Sequence, residues 1–346
     1  MTNLISSLST ALHGTLTLPG DKSLSHRAAL FAALAQGNSR IENFLVSGVT
    51  GAMLNALTLL GVSWKLQGRT LTIHGRGVQG IRSPSAPLDC GNSATTMRLL
   101  AGAVALAGIS AVLDGSDGLR RRPMGRIVDP LRQMGVSIRA SNGCAPLKLQ
   151  PSRFPLRALD TNLPVASAQL KTCLLLAALA GDGPTSLREP GPSRDHTERM
   201  LGSMGISLTS ALCDVDGQAW YETRLIPPRP LVLSPLTLRL PGDFSSAAFL
   251  IVAALITPGS TITLQGVGLN PGRTGLLDVL LEMGANIRIS AQSLVNGEPV
   301  GDLTVQASRL RGVCLPDWEM PGQPRSQCRE ALDGVIADSD GRRTYH

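Results

Sequence analysis

A chain of 346 residues with 43% hydrophobic and 16% charged side chains is long for one core, comfortable for two domains, and too apolar to be disordered. Its 32 Lys and Arg against 25 Asp and Glu leave a formal charge of +7; with only 3% aromatic residues available for base stacking, a small anionic ligand suits that charge and no nucleic-acid partner is expected. Six scattered cysteines without a C-x-x-C pair, and five histidines without ligand spacing, argue against a zinc site and a disulfide framework and fit a reducing compartment. The longest apolar runs, such as Leu174–Ala180, are too short to span a bilayer, and no basic stretch followed by an apolar one opens the chain, so a cytoplasmic protein without a membrane partner is expected.

The first element of interest is Leu18-Pro19-Gly20-Asp21-Lys22-Ser23-Leu24-Ser25-His26-Arg27. A Pro-Gly turn ends an extended segment, and an Ala/Leu-rich helix follows to about Gln36-Gly37. Ser23 or Ser25 is expected to cap it. The free amides of that first turn, the helix dipole, and the charges of Lys22 and Arg27 together favour a phosphate or carboxylate. A P-loop is excluded, because the glycines it needs before the lysine are Asp21 and Leu16 here. The plain alternative is an N-capped helix carrying two surface cations.

Further along, a helix ending in glycine and running into a strand occurs four times, at Leu60-Gly61-Val62, Met134-Gly135-Val136, Met204-Gly205-Ile206 and Met283-Gly284-Ala285. Each glycine is placed to take the left-handed conformation that closes a helix. A second series of apolar helices interleaves with the first: Ala28–Ala35, Thr96–Ala107, Leu170–Ala180 and Ala247–Ile256. The unit is a small α/β subdomain repeated roughly every 75 residues, too long for a solenoid. Leu18-Pro19-Gly20-Asp21 is echoed by Leu240-Pro241-Gly242-Asp243, which suggests one lobe inserted into another through paired hinge strands. The expected division is an inserted lobe of three repeats at 21–240, an incomplete lobe made of 1–20 and 241–313, and a divergent tail at 314–346 whose one weak apolar stretch is Ala331–Ile336.

Polar and cationic residues recur at the helix starts. Asn92 and Ser93 precede the second apolar helix as a cap, with Ala94 at its first turn. Arg120-Arg121-Arg122 runs into Pro123, which would fix Arg122 at a helix start and make a carboxylate clamp; a solvated charge run is the ordinary meaning of such a triplet. Ser167 and Gln169 open a third helix, and Arg194 lies in the loop before another. Asp195 and His196 are adjacent and lack a nucleophile elbow, so a hydrolase triad is rejected. Singly each of these is a cap or a surface charge; jointly they describe an anion-collecting cleft.

In this order, LPGDKSLSHRAAL, CGNSATTMRLLAG, LRRRPMGRIVDPLRQMGV, LPVASAQLKTCLLLAAL, EPGPSRDHTERML and LPGDFSSAAFLIVAAL resemble the EPSP synthases over roughly residues 12 to 313, with forms closest to the glyphosate-insensitive class II branch. The resemblance implies an α/β fold, a two-lobed inside-out α/β barrel built from repeated βαβαββ units, here with the second lobe incomplete. It implies transfer of the enolpyruvyl group of phosphoenolpyruvate to the 5-hydroxyl of shikimate 3-phosphate without metal or organic cofactor, by a monomer. Carried over motif by motif, Lys22 touches both substrates and assists proton transfer. Ser23, Arg27, Ser167, Gln169 and Arg194 hold shikimate 3-phosphate, while Asn92, Ala94 and Arg122 line the phosphoenolpyruvate pocket.

Two departures qualify the match. Gly48 and Val49 stand where family members commonly carry an acidic pair, and the family pattern stops after Leu315-Pro316-Asp317-Trp318-Glu319, short of the motifs that carry its general base and further phosphoenolpyruvate arginines. A frameshift or internal deletion would explain the second departure. The competing expectation is a catalytically impaired relic that binds shikimate 3-phosphate without turnover. The related UDP-N-acetylglucosamine enolpyruvyl transferase is disfavoured by Lys22-Ser23 and Ser167-Ala168-Gln169, and by the lack of a loop cysteine before Arg122.

Overall fold

A computed structural model describes residues 10–313, so the end of the family pattern at Leu315–Glu319 and the apolar stretch Ala331–Ile336 lie outside the described residues. In chain order the elements begin with β1 (His13–Thr17), α1 (Lys22–Leu34), β2 (Gln36–Glu42), α2 (Gly48–Leu59), β3 (Ser63–Gln67) and β4 (Thr70–Arg76). Next come β5 (Leu88–Asp89), α3 (Ala94–Ala107), β6 (Ala111–Asp114), α4 (Asp117–Arg120), α5 (Gly125–Gln133), β7 (Ser137–Ser141) and β8 (Cys144–Gln150). They are followed by β9 (Asp160–Asn162), α6 (Ala168–Ala178), β10 (Thr185–Glu189), α7 (His196–Ser203), β11 (Leu208–Val215) and β12 (Gln218–Leu225). The series closes with β13 (Thr237–Arg239), α8 (Phe244–Ile256), β14 (Thr261–Gly268), α9 (Gly275–Glu282), β15 (Asn286–Val295) and β16 (Glu298–Gln306).

These strands form four sheets of four, with one pattern repeated: β13-β2-β4-β3, β5-β6-β8-β7, β9-β10-β12-β11 and β1-β14-β16-β15. In each, the first strand is parallel to the second and the remaining pairings are antiparallel. The βαβαββ unit is therefore present four times among the described residues, as the α/β reading expects.

Two of the four units exchange their first strands. β1 leads into α1 but pairs with β14, whereas β13 leads into α8 but pairs with β2. The exchange takes place at the two Leu-Pro-Gly-Asp turns, which lie antiparallel across a Gly20–Gly242 bridge. Asp21 N–H donates to the Pro241 carbonyl and Asp243 N–H to the Pro19 carbonyl, both at 2.9 Å. Gly20 has no room for a side chain here, since a Cβ would stand 1.9 Å from the Asn43 carbonyl oxygen.

The four repeat glycines do close their helices in the left-handed region, with φ of 85° at Gly61, 87° at Gly135, 94° at Gly205 and 87° at Gly284. The apolar helices start earlier than their hydrophobic runs suggest, because polar capping turns precede them. α1, in turn, stops at Leu34, and Gly37 belongs to β2. α1, α3 and α6 are buried along most of their length, α1 and α6 with charged or polar side chains such as Arg27 and Lys171 among the buried ones. Where α3 meets α6, Gly102 lies so close to Cys173 that a Cβ would fall 2.4 Å from its carbonyl oxygen. One buried apolar cluster runs from Leu24 to Leu240 around these helices; a second joins Leu18 to α8, α9 and the sheet of β14. No helix among the described residues is long and apolar enough to cross a membrane.

Candidate functional site: helix starts that share side chains

Asp21, not Ser23 or Ser25, caps α1: its Oδ1 accepts the Leu24 N–H at 2.9 Å. Ser25 points inward and donates its hydroxyl to the Asp21 carbonyl at 2.8 Å. The strand crossing decides this, because the Asp21 N–H is engaged by Pro241 and the side chain is thereby held over the first turn. Burial opposes ionisation of Asp21, but Arg273, His196 and the amides of Leu24 and Ser23 outweigh it and hold the carboxyl below its ordinary value. The Lys22 side chain is exposed at the first position of the helix, and its backbone N–H donates to Asp243 Oδ2 at 3.0 Å.

Arg27, one turn into α1, is completely buried. Its guanidinium donates to the Ser23 and Ala168 carbonyls at 3.1 and 3.2 Å, and to the hydroxyls of Thr172 and Thr197 at 2.9 and 2.8 Å. Four of the five donors of an arginine are thus committed to α1, α6 and α7. Burial, partly offset by Glu198, lowers its pKa to about 10. Arg27 is a tie between three helix starts.

Neighbouring contacts close the ring. His26 Nδ1 lies 2.8 Å from the Lys22 carbonyl, and its Nε2 lies 3.4 Å from the hydroxyl of Ser93, the cap of α3. Burial pushes the His26 pKa down, opposed by the hydrogen bond to the Lys22 carbonyl and reinforced by the charges of Arg27 and Lys22. From α6, Gln169 reaches α3: its Nε2 donates to Thr95 Oγ1 at 2.9 Å and its Oε1 accepts from Arg98 at 2.6 Å. Arg194 Nη1 lies 3.4 Å from Ser23 Oγ. Below them Glu189 accepts the Ser167 N–H at 2.7 Å and the Ser193 hydroxyl at 2.8 Å, which fixes the two loops carrying Ser167 and Arg194. Lys171, buried between Glu189 and Glu198 at 2.8 and 2.6 Å, neutralises that carboxylate pair. Burial works against its charge, yet the two glutamates raise its pKa overall.

The expected residues therefore divide by position. Ser23, Arg27 and Arg194 are joined directly, Ser167 caps α6 and is held by Glu189, and Gln169 turns instead to Thr95 and Arg98 of α3. Asn92, Ala94 and Arg122 lie toward the start of α3, where Asn92 Oδ1 accepts from Ser116 at 3.3 Å and from Arg122 at 3.5 Å. Pro123 does not begin a helix: α5 starts at Gly125 after an uncapped Met124, and Arg122 sits in the turn behind α4. Arg120 of the triplet is spent on Asp114 at 2.8 Å. Asp195 pairs with Arg199 and Asn270, and His196 with Glu298 at 2.8 Å, the two residues sharing the Asn270 amide nitrogen.

Missing from the expected set are Thr95, Arg98, Asp243 and Arg273. Arg98 stands inside CGNSATTMR, and burial together with the charges of Arg126 and Arg122 lowers its pKa. That arrangement concentrates positive charge beside Gln169. Among the described residues no group of three or more His, Cys, Asp or Glu is placed to hold a metal ion.

Known proteins share this architecture. The family described as EPSP synthase (3-phosphoshikimate 1-carboxyvinyltransferase) matches residues 7–321. The 3-phosphoshikimate 1-carboxyvinyltransferase of Salinibacter ruber is 46% identical over 305 residues, 88% of this chain and 68% of that protein. Its counterpart in Roseiflexus sp. is 47% identical over 314 residues, 90% of this chain and 70% of that one. An EPSP synthase structure from Acinetobacter baumannii superposes with a TM-score of 0.80 at 38% identity, covering 90% of this chain and 68% of its own. The chain belongs to the EPSP synthase family.

Proposed function

We propose that this protein transfers the enolpyruvyl group of phosphoenolpyruvate to the 5-hydroxyl of shikimate 3-phosphate and releases phosphate. The observation that carries the reading is the junction of the α1, α3, α6 and pre-α7 starts around Ser23, Arg27, Gln169 and Arg194. Several helix N-termini and the cationic side chains of Arg27 and Arg194 suit a ligand with a phosphate and a carboxylate. Ser23 and Arg194 are assigned the shikimate phosphate, with Ser167, Gln169 and Arg27 along the rest of that substrate. Asn92, the first turn at Ala94, and Arg122 are assigned phosphoenolpyruvate.

The 5-hydroxyl oxygen bonds to C2 of phosphoenolpyruvate and loses its proton as C3 gains one; the C2–O bond to phosphate then breaks as C3 gives up a proton, leaving the new enol ether and inorganic phosphate. Two polyanions must be held together for this, so electrostatic positioning supplies much of the rate. Lys22, exposed at the first position of α1, is assigned contact with both substrates and assistance to proton transfer. The reading includes an anion site within 21–240, the strand exchange as the hinge to 241–313, and a monomeric cytoplasmic enzyme. The names of the relatives support the transferase over the binding-only alternative.

Phosphorus NMR of the protein with both substrates tests it. Inorganic phosphate should appear together with a new enol ether, and only when both substrates are present. Binding of shikimate 3-phosphate without any phosphate release would overturn the proposal.

A further inference from the structure

The Gln169 amide is held at both ends by residues one helical turn apart on α3. Arg98 carries only donors, so the group it meets at 2.6 Å must be the amide oxygen. Thr95 Oγ1, 2.9 Å from Nε2, takes one of the two amide hydrogens. Arg98 is itself anchored, since its Nη2 donates to the Pro123 carbonyl at 3.3 Å. The amide consequently has one free hydrogen and an oxygen already engaged by a cation.

We propose that Arg98 is a positioning residue that locks Gln169 in the orientation presenting N–H, so that Gln169 can only donate to its ligand. Resting on the functional reading above, this assigns the group facing Gln169 as an acceptor, a hydroxyl or anionic oxygen of shikimate 3-phosphate. Without Arg98 the amide turns over, and the turned-over amide offers an oxygen to an electron-rich ligand. Arg98 thus acts through Gln169 and needs no contact with substrate.

Calorimetric titration of shikimate 3-phosphate into Arg98→Met, Gln169→Ala and the double variant tests this, because coupled residues are non-additive. Arg98→Met should weaken binding about tenfold in the native background and less than about twofold in the Gln169→Ala background. An equal loss in both backgrounds, or no loss in the native one, would overturn the proposal. If Arg98→Met does not fold, Thr95→Val releases the other end of the amide and should show the same dependence on Gln169; independence would again overturn it. Nitrogen relaxation of the Gln169 side chain in ligand-free protein gives a second readout. The amide should be rigid in the native protein and mobile in Arg98→Met, and equal rigidity in both would contradict the lock. If the native protein fails to bind shikimate 3-phosphate, the functional reading falls while this second readout still decides the lock.

Discussion

Asp21 and Asp243 cap different helices yet meet the same guanidinium: Arg273 Nη2 lies 3.1 Å from Asp21 Oδ2 and 3.1 Å from Asp243 Oδ1. The two residues are the matching positions of the echoed Leu-Pro-Gly-Asp turns. Asp243 also accepts the Ser245 N–H and the Lys22 N–H, so the start of α1 is tied to the start of α8. Arg273 supplies the positive charge that both carboxylates meet.

Replacing Arg273 by Met should therefore leave two buried carboxylates facing each other. The expected loss is about 3–5 kcal/mol at neutral pH, read from urea unfolding. Asp21 has a lowered folded-state pKa in the native protein, so its contribution is present above the unfolded value and lost as pH falls. In the variant burial acts unopposed by Arg273 and Asp21 protonates more readily. The gap between the two proteins should then narrow as pH falls from 7 into the carboxylate range; a constant gap would refute the clasp.

His26 gives a second pH signature. Its burial depresses the folded-state pKa below the ordinary 6.5, so the unfolded chain takes up a proton first as pH falls. Native stability should decline as pH drops below about 6.5, and His26→Gln should remove that portion of the slope. The Lys22 carbonyl can only accept, which makes Nδ1 the protonated nitrogen of the neutral ring. Proton-detected NMR showing Nε2–H instead would contradict the hydrogen bond from His26 to the Lys22 carbonyl.

Much of the fold could be read from local chemistry. Gly61, Gly135, Gly205 and Gly284 announced themselves because a left-handed helix end nearly demands glycine. The Pro-Gly-Asp echo marked where the chain crosses. The exchange of β1 and β13 was not legible, since it depends on strand pairing across most of the chain, and no local pattern encodes a partner. At the site, Ser23 and Ser25 competed with Asp21 as caps of nearly equal propensity, and only the hydrogen bond from Asp21 to Pro241 settles which one is positioned. Arg98 lay in plain sight inside a motif, but its partner depends on how Gln169 folds back onto α3. Arg273 sits in an Asn-Pro-Gly-Arg loop with nothing beside it to mark two distant carboxylates.

Ala94 opens α3 and is buried there, next to Asn92. The methyl group should be tolerated by phosphoenolpyruvate and should obstruct glyphosate, which is longer. Ala94→Gly is expected to confer glyphosate sensitivity, at a stability cost of up to about 1 kcal/mol for glycine in a helix. Product formation at rising glyphosate concentrations checks this, and equal inhibition of both proteins would refute the steric argument.

The central claim is that the joined helix starts form a shikimate 3-phosphate site with Lys22 at its mouth. Calorimetric titration of that compound into the native protein and Lys22→Ala, at two ionic strengths, tests it most directly. The native protein should bind, more weakly at the higher salt, because charge supplies the attraction. Lys22→Ala should lose about 1.5–3 kcal/mol of binding while unfolding at the same denaturant concentration, since its side chain is exposed. Native protein that does not bind, or a Lys22→Ala variant that binds equally well, would contradict the account.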